Sequence, residues 1–390
     1  MKIIRRISLV IAVMIICWSS VLLVACKKPE TPPEPASEKI VDMIGREVEI
    51  TVGTYSKVVC IGAGALRLYS YIGDVSLLCG IEDIENTTLD NRPKMFDSAA
   101  RPYVLANKDV FNAIAKSCGV GGPNAQTAEA EKILSCNPDI VISEYEDKEK
   151  EDALQTQLGV PVITVKYGSS GVFDENVAKS LTLLGKVFAK ESRATELNNF
   201  IAKEKESIQS RVKDVKEEDK KSVYICGLGN WGTTNHLMTA QNYAPFNVAN
   251  IKNVVTDLAK DGIQAIEYEK LVALGKDIDV MIIDSAAVKN IKPLYKEDNT
   301  LFDDIKAWQN GEVYLEMAYN AYYTNLEIAL INTWYVAKIV YPELFSDIDI
   351  TTKTNEVTKT FLGKELATEI YACPASFGGY QKVNTETFFK

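Results

Sequence analysis

The sequence predicts an α/β protein of two Rossmann-like lobes joined by a single long α-helix, and three observations carry that expectation. The first is size: 390 residues, 46% of them apolar and 25% charged, exceed what one hydrophobic core usually organises. The second is pattern, since from Val41 onward short apolar runs alternate with stretches of helical periodicity, as parallel α/β units require. The third is an internal repeat. Glu131-Lys132-Ile133-Leu134 precedes Pro138-Asp139-Ile140-Val141-Ile142, and Glu269-Lys270-Leu271-Val272 precedes Asp277-Ile278-Asp279-Val280-Met281-Ile282-Ile283, each leading Glu eight residues before an Asp that enters a strand. Two ordinary α/β units alike by chance are the competing reading.

Residues 1–25 join a basic start, Lys2, Arg5 and Arg6, to an apolar stretch from Ile7 to Ala25, the pattern of a secretory signal peptide. An uncleaved membrane anchor is the alternative, because the run is nearly long enough to span a bilayer. The stretch ends in Leu23-Val24-Ala25-Cys26, which resembles a bacterial lipobox, in which Cys26 is lipidated and becomes the first mature residue. Residues 26–40 then read as a tether, with four prolines between Lys27 and Glu38 and no apolar run.

The first lobe is expected over 41–172, with buried strands at 58–61, 76–80, 140–143 and 160–165 and helices at 63–72 and 127–134. Residues 173–216 contain no proline and one glycine, Gly185. Leu181, Leu184, Val187 and Phe188, then Leu197, Phe200 and Ile201, recur there at helical spacing, and charge grows dense beyond Ser192. A single long helix is therefore expected to bridge the lobes, much of it in water and stiffer than a loop hinge. The second lobe, 217–390, carries strands at 222–226, 280–284 and 311–315 and a long amphipathic helix at 323–339.

Charge and composition exclude several functions. Against 43 basic residues stand 53 acidic ones, a net of −10, and loss of residues 1–25 removes three basic residues and no acid, leaving 40 against 53, net −13. Such a balance argues against gripping nucleic acid or an anionic lipid surface. With one His in the chain, a metal site built on several imidazoles is excluded, and a Ser/His/Asp or Cys/His centre would have to use His236. Besides Cys17 and Cys26 there are six cysteines, Cys60, Cys79, Cys118, Cys136, Cys226 and Cys373, with no Cys-x-x-Cys among them. Export permits disulfides without requiring them, and their placement in or beside apolar runs favours buried thiols. No spacing suits an iron–sulfur cluster, and no catalytic or metal role is expected of them.

Asp42-Met43-Ile44-Gly45-Arg46-Glu47-Val48, then Gly62-Ala63-Gly64-Ala65-Leu66-Arg67, the Glu131 to Asp139 element, and Tyr335-Val336-Ala337-Lys338-Ile339-Val340-Tyr341-Pro342-Glu343-Leu344-Phe345 stand in an order and spacing that together are specific. In these features the chain resembles the substrate-binding lipoproteins of ABC importers for iron-siderophores, haem and cobalamin, over nearly all of its mature length. The resemblance implies two α/β lobes joined by a long helix, a ligand cleft between the lobes, no enzymatic activity, and one surface glutamate per lobe docking on arginines of the permease. By position these are Glu131 and Glu269. Carboxylates facing paired guanidiniums give charge-assisted bonds that fix orientation and speed encounter, and ordinary solvated helix charges are the alternative. Lys276 stands where the family has proline before Asp277, which puts the strand entry in question.

Ligands of open α/β sheets collect beyond the carboxyl ends of the strands, so the loops there supply the candidates. Gly64 lies in a loop, 62–66, that reads equally as a helix start able to meet an anion or as a tight turn. Arg101 and Tyr103, read as a loop, offer a partner for a carboxylate or catecholate oxygen and a stacking or iron-coordinating ring; a structural tyrosine is the other reading. The run from Gly227 to His236 offers the flat face of Trp231 and the polar groups of Asn235 and His236. His236 reads as an iron or haem ligand or, lacking a nearby partner, as a structural residue. Tyr319, Tyr322 and Tyr323 form an aromatic cluster before the long helix that suits a chelate ring or packs the lobe interior; Tyr145 and Tyr167 are lesser candidates. So many tyrosines oppose a haem-only site, which needs at most two axial ligands.

The expectation is an extracytoplasmic, lipid-anchored monomer that captures a small-molecule iron complex, a ferric siderophore foremost, and delivers it to an ABC permease dimer, with no cofactor, no metal of its own and no nucleic-acid partner. Cobalamin or haem binding is the nearer alternative, and a surface lipoprotein or adhesin outside transport the farther one.

Overall fold

A computed structural model of the chain describes residues 37–122, 127–169, 171–229 and 234–390, so the expectations for Cys26 and Trp231 lie outside the described residues. The first described element is a hairpin of β1 (Ser37–Val41) and β2 (Glu47–Thr51). Its first strand begins inside the stretch expected to be tether, because Ile40 is buried with Val48 and Ile50 of its partner. The turn between them explains the Asp-x-x-Gly-Arg sequence. Asp42 Oδ1 accepts from the backbone N–H of Ile44 and Arg46 at 3.1 and 2.9 Å, and Gly45 takes a φ of 76° that a side chain resists. Arg46 is thereby buried, donating to the Val162 carbonyl at 2.9 Å and standing 2.9 Å from the Asp152 carboxylate. The motif fastens the hairpin to the first lobe.

That lobe is a parallel sheet of β3 (Val58–Ile61), β4 (Leu78–Glu82), β5 (Ser117–Gly119), β6 (Ile140–Ser143) and β7 (Val162–Thr164), in the order β5-β4-β3-β6-β7. Alternate residues serve opposite faces. Val59, Ile61, Val141 and Val162 pack under the helices Ala130–Cys136 and Lys148–Leu158, whereas Val58, Cys60, Ile140 and Ile142 pack with Ala65–Ile72 and Glu175–Val187. Strand order reverses between β3 and β6, which opens a crevice at their carboxyl ends.

The segment 173–216, expected as one helix, is two, of which the first packs on the first lobe. Glu175–Val187 ends at Phe188, and Glu191–Val212, 22 residues long, leads toward the second sheet. Ala189 turns left-handed, with φ 52°, and the Lys190 N–H closes on the Gly185 carbonyl at 2.6 Å. Gly185 is needed there, because a Cβ on it would meet that of Ala194 at 2.7 Å. On the longer helix Ala194, Leu197, Ile201, Glu204, Ile208 and Val212 form the one buried stripe, which is why its remaining faces carry so much charge.

The second lobe contains β8 (Ser222–Cys226), β9 (Met238–Ala240), β10 (Lys252–Asn253), β11 (Ile263–Ala265), β12 (Val280–Asp284), β13 (Val313–Glu316) and β14 (Gln381–Lys382). Its main sheet runs β10-β8-β12-β13-β14, parallel except for β14, while β9 and β11 pair as a separate ribbon. Val223, Ile225, Val280 and Ile282 face the helix Leu326–Val340 and share one continuous apolar core with the inner face of the first lobe.

The repeat seen in the sequence is structural, with a corrected register. Asp139 receives the N–H groups of Ser56 and Lys57, and Asp279 that of Ser222; their own N–H groups donate to Lys57 and Ser222 carbonyls at 2.9 and 2.8 Å. The partner of Asp139 is thus Asp279, not Asp277, and strand entry is displaced by two residues where Lys276 interrupts the pattern.

Contacts between the lobes centre on Arg67, which is wholly buried. Its Nη2 donates to the carbonyls of Ala321 and Tyr322 in the second lobe at 3.1 and 2.9 Å, and its Nη1 to Tyr167 Oη at 3.3 Å. Burial works against its charge, but Tyr167, Tyr103, Tyr71 and Glu327 hold its pKa above the ordinary arginine value. Tyr71 Oη also donates to Glu327 at 2.7 Å across the same boundary. Arg67→Met keeps the bulk and removes the charge, so it is expected to lower the free energy of unfolding by about 2–4 kcal/mol. Urea denaturation checks this, and an unchanged midpoint would mean that the guanidinium does not hold the lobes.

Candidate functional site

Between the lobes lies a cavity of about 330 Å³. The first lobe contributes residues 168–173, which follow β7; the second contributes Leu228 beyond β8, the 240–245 and 262–263 segments, and residues 319–324 beyond β13. Exposed Ser169, Asn242 and Gly262 border its mouth. Both lobes therefore present carboxyl-end loops to one space, as doubly wound sheets do.

Local sequence shapes each wall. Gly168 turns with φ 82° where a Cβ would strike the Asp174 carboxylate, which accepts from Ser169 N–H at 2.9 Å. Opposite, Asn325 ties the 319–325 loop by donating its backbone N–H and its Nδ2 to the Tyr319 carbonyl at 2.7 and 3.0 Å. Tyr322 and Tyr323 both adopt left-handed backbone, φ 54° and 69°, which costs on the order of 1–3 kcal/mol each and is held by Arg67 on one side and the cavity wall on the other. Under the floor, Asp284 and Glu316 lie side by side at the ends of β12 and β13, and Tyr243 Oη donates to Glu316 at 2.6 Å. Burial pushes Asp284 up to about 8, and burial with the Asp284 charge holds Glu316 well above the carboxylate range. Tyr323 is pushed up to about 12 by burial, then by Glu144, Glu146 and Asp174.

Of the residues singled out in the sequence, Tyr319 lines this cavity. Neither its hydroxyl nor that of Tyr323 bonds to another group among the described residues. Tyr322 points away and serves the interface: its hydroxyl donates to Glu82 Oε2 at 2.5 Å and accepts from Gly122 N–H at 3.1 Å. Gly64 is covered by Tyr167, whose hydroxyl donates to its carbonyl at 2.9 Å, and the neighbouring Gly62 N–H is taken by Glu82 at 3.1 Å, so no anion is received at this helix start. Arg101 and Tyr103 are not in a loop at the site. Pro102 starts the helix Pro102–Ala113 directly after Arg101, and the side chains of Arg101 and Tyr103 are buried on Glu85, at 2.6 Å from Arg101 Nη1 and 2.5 Å from Tyr103 Oη.

His236 is not a cavity residue either. Its ring sits edge-on to Tyr268 and Phe302, with centroids 6.1 and 5.8 Å away; neither nitrogen has a partner among the described residues, and burial lowers its pKa, so it packs as a neutral imidazole in the second lobe. Asn235 accepts from Leu237 N–H at 3.0 Å and shapes the turn. Tyr323 of the same expected cluster lines the cavity too, whereas Tyr243 and Phe173 line it without having been singled out. The six described cysteines are free, four of them buried, and among the described residues no group of three or more His, Cys, Asp or Glu could hold a metal ion.

Glu131 and Glu269 occupy matching places, the second residue of the helices Ala130–Cys136 and Tyr268–Gly275, and both are exposed. In each lobe the following lysine is engaged elsewhere, Lys132 with Glu129 at 2.8 Å and Lys270 with Asp257 at 2.6 Å, which leaves the glutamate open to an outside partner.

Two α/β lobes thus enclose one shared cavity. The family model described as periplasmic binding protein matches residues 97–317, and the chain belongs to that family, whose members are non-enzymatic substrate-binding components of ABC transporters. Similar solved structures include a periplasmic solute binding protein from Veillonella parvula, at 17% identity and a TM-score of 0.66, covering 91% of this chain and 100% of that one. The molybdate periplasmic binding protein MolA of Haemophilus influenzae, at 16% identity, has a TM-score of 0.63 over 84% and 98% of the two chains. The catecholate-siderophore binding protein VctP of Vibrio cholerae, at 15%, has 0.51 over 79% and 100%. No curated protein sequence gives a significant match. The protein is thus extracytoplasmic by family, and among the described residues no helix is long and apolar enough to cross a membrane.

Acid–base behaviour at the lobe boundary gives a test. Burial raises Glu82 to about 7 despite the hydrogen bonds from Tyr322 and Gly62, and burial with Glu146 raises Glu144 to about 8. Between the ordinary carboxylate pKa of 4.5 and these values the folded chain holds protons that the unfolded chain has released, so stability falls as pH rises through that window. Glu82→Gln is expected to flatten the fall between about pH 5 and 7 by about 1–3 kcal/mol in urea titrations, and an undiminished slope would contradict the assignment.

Proposed function

We propose that this protein is a lipid-anchored capture component of an ABC importer, monomeric, which holds an iron chelate of the siderophore type in the interlobe cavity and presents it to the permease dimer. The observation that carries the reading is the cavity itself, walled by both lobes and furnished with two phenol hydroxyls, Tyr319 and Tyr323, that make no bond to a described residue. Phenol hydroxyls donate to the oxygens of a chelate, and their rings offer flat apolar surface to its backbone.

The cavity lining supports an iron chelate over haem. Haem would have tyrosine alone for an axial ligand, since His236 is packed in the second-lobe core. The name of VctP, a catecholate-siderophore binder, agrees with an iron chelate, whereas that of MolA shows that the same architecture also carries a bare oxyanion.

Delivery follows from the paired glutamates. With Glu131 and Glu269 at equivalent positions on the two lobes, a permease carrying two arginine sets reads both lobes at once. Cys26, after export and lipidation, would keep the protein within reach of that permease through a flexible proline-rich leash, two-chain or longer acylation supplying the anchorage.

Two outcomes are expected. The Tyr319→Phe, Tyr323→Phe pair should weaken binding of a ferric chelate about tenfold or more in isothermal titration, and an unaltered affinity would remove these hydroxyls from the site. The Glu131→Ala, Glu269→Ala pair should abolish uptake of labelled iron chelate by cells while leaving that titration unchanged; lost affinity would place the glutamates at the ligand instead.

A further inference from the structure

Among the described residues, the wall of the cavity carries no ionisable side chain other than its tyrosines. It is made of glycine, alanine, proline and aliphatic positions, Phe173, the three tyrosines, and the neutral polar side chains of Ser169, Asn242, Asn320, Thr324 and Thr333. The acids behind the wall supply little field: burial raises Glu144 and Asp284 to about 8 and holds Glu316 well above the carboxylate range, so these three are largely protonated near neutral pH, and Glu146 is paired with Lys166. Cations close by are committed or screened: Lys166 is paired with Glu146, Arg67 is spent on the carbonyls of Ala321 and Tyr322, and Lys205 stands behind the Phe173 ring at 5.7 Å from its centroid.

A charged ligand entering this space loses water and gains no counter-charge. An anion finds no cation among the described wall residues to replace the water it gives up. A bare cation fares no better, because no carboxylate reaches the wall to ligate it. A neutral ligand with outward oxygens, by contrast, finds hydroxyl and amide partners and apolar surface.

We propose that the cavity is specific for electroneutral chelates, in which the donor groups cancel the charge of the metal, and that it excludes anionic ones; this rests on the reading of the cavity as the site of an iron chelate. The distinction is chemical. Three singly charged hydroxamates neutralise a ferric ion, whereas three doubly charged catecholates leave a strongly anionic complex. The ligand class is therefore the ferric trihydroxamate type, set apart from ferric tris-catecholates and from oxyanions such as molybdate. Selection arises from the absence of a cation in the wall, so one placed there should relax it.

The test is fluorescence or calorimetric titration of the full chain with three probes: the ferric complex of a neutral cyclic trihydroxamate, a ferric cyclic tris-catecholate, and molybdate. The trihydroxamate should bind at least about 100-fold more tightly than either anion. Ser169→Lys, at an exposed rim position where folding is not at stake, should shift the ratio of tris-catecholate to trihydroxamate affinity toward the anion by about fivefold or more. Equal or tighter binding of the tris-catecholate by the unaltered protein would overturn the charge selection while leaving chelate capture intact. Binding of none of the probes would overturn both, and a Ser169→Lys ratio that does not move would show that wall charge is not what selects.

Discussion

A guanidinium closed off from water has to find acceptors, and Arg67 finds them in the other lobe. The carbonyls of Ala321 and Tyr322 that satisfy it belong to a loop whose backbone is left-handed at two successive tyrosines. That geometry turns Tyr322 into the first lobe, onto Glu82, and leaves Tyr319 and Tyr323 facing the cavity. Lobe arrangement and ligand wall are consequently set by the same few residues. A ligand that presses on Tyr319 and Tyr323 acts on the loop that Arg67 holds, which provides a direct physical route from cavity occupancy to the relative placement of the lobes and of the two exposed glutamates.

The fold was legible wherever burial is one-dimensional. Strands 58–61, 140–143, 222–226 and 280–284 appear at the expected bounds because a strand buried on both faces writes an uninterrupted apolar run into the chain. The strand expected at 76–80 lies at Leu78–Glu82, since Asp74 caps a short turn through Leu77 and delays the entry. The break in the bridging helix left no mark, because Ala189 in a left-handed conformation looks like any helical alanine; only its packing against Gly53 and the Lys190 to Gly185 bond select it.

At the site, sequence reasoning identified the loops better than the side chains. The 319–323 cluster does line the cavity, but which of its tyrosines turns inward depends on Arg67, some 250 positions away in sequence. Arg101 and Tyr103 carry the chemistry of ligand binding and spend it on Glu85, whose burial could not be inferred from an acidic residue in a polar stretch. His236 drew attention as the lone imidazole of the chain, yet the aromatic neighbours that bury it, Tyr268 and Phe302, come from distant segments. The glutamates were readable because a local helix-then-strand pattern, repeated in both halves, fixes their position without long-range contacts.

On the proposed reading, transport reduces to coupling between the aromatic cavity and the two exposed glutamates on lobes that share one core. The most direct test of that coupling is hydrogen–deuterium exchange of the whole protein with and without a neutral ferric trihydroxamate. Slowed exchange in residues 168–169 and 171–173 of the first lobe together with 319–325 of the second is the predicted result. Protection confined to one lobe, or lying away from these segments altogether, would contradict the account.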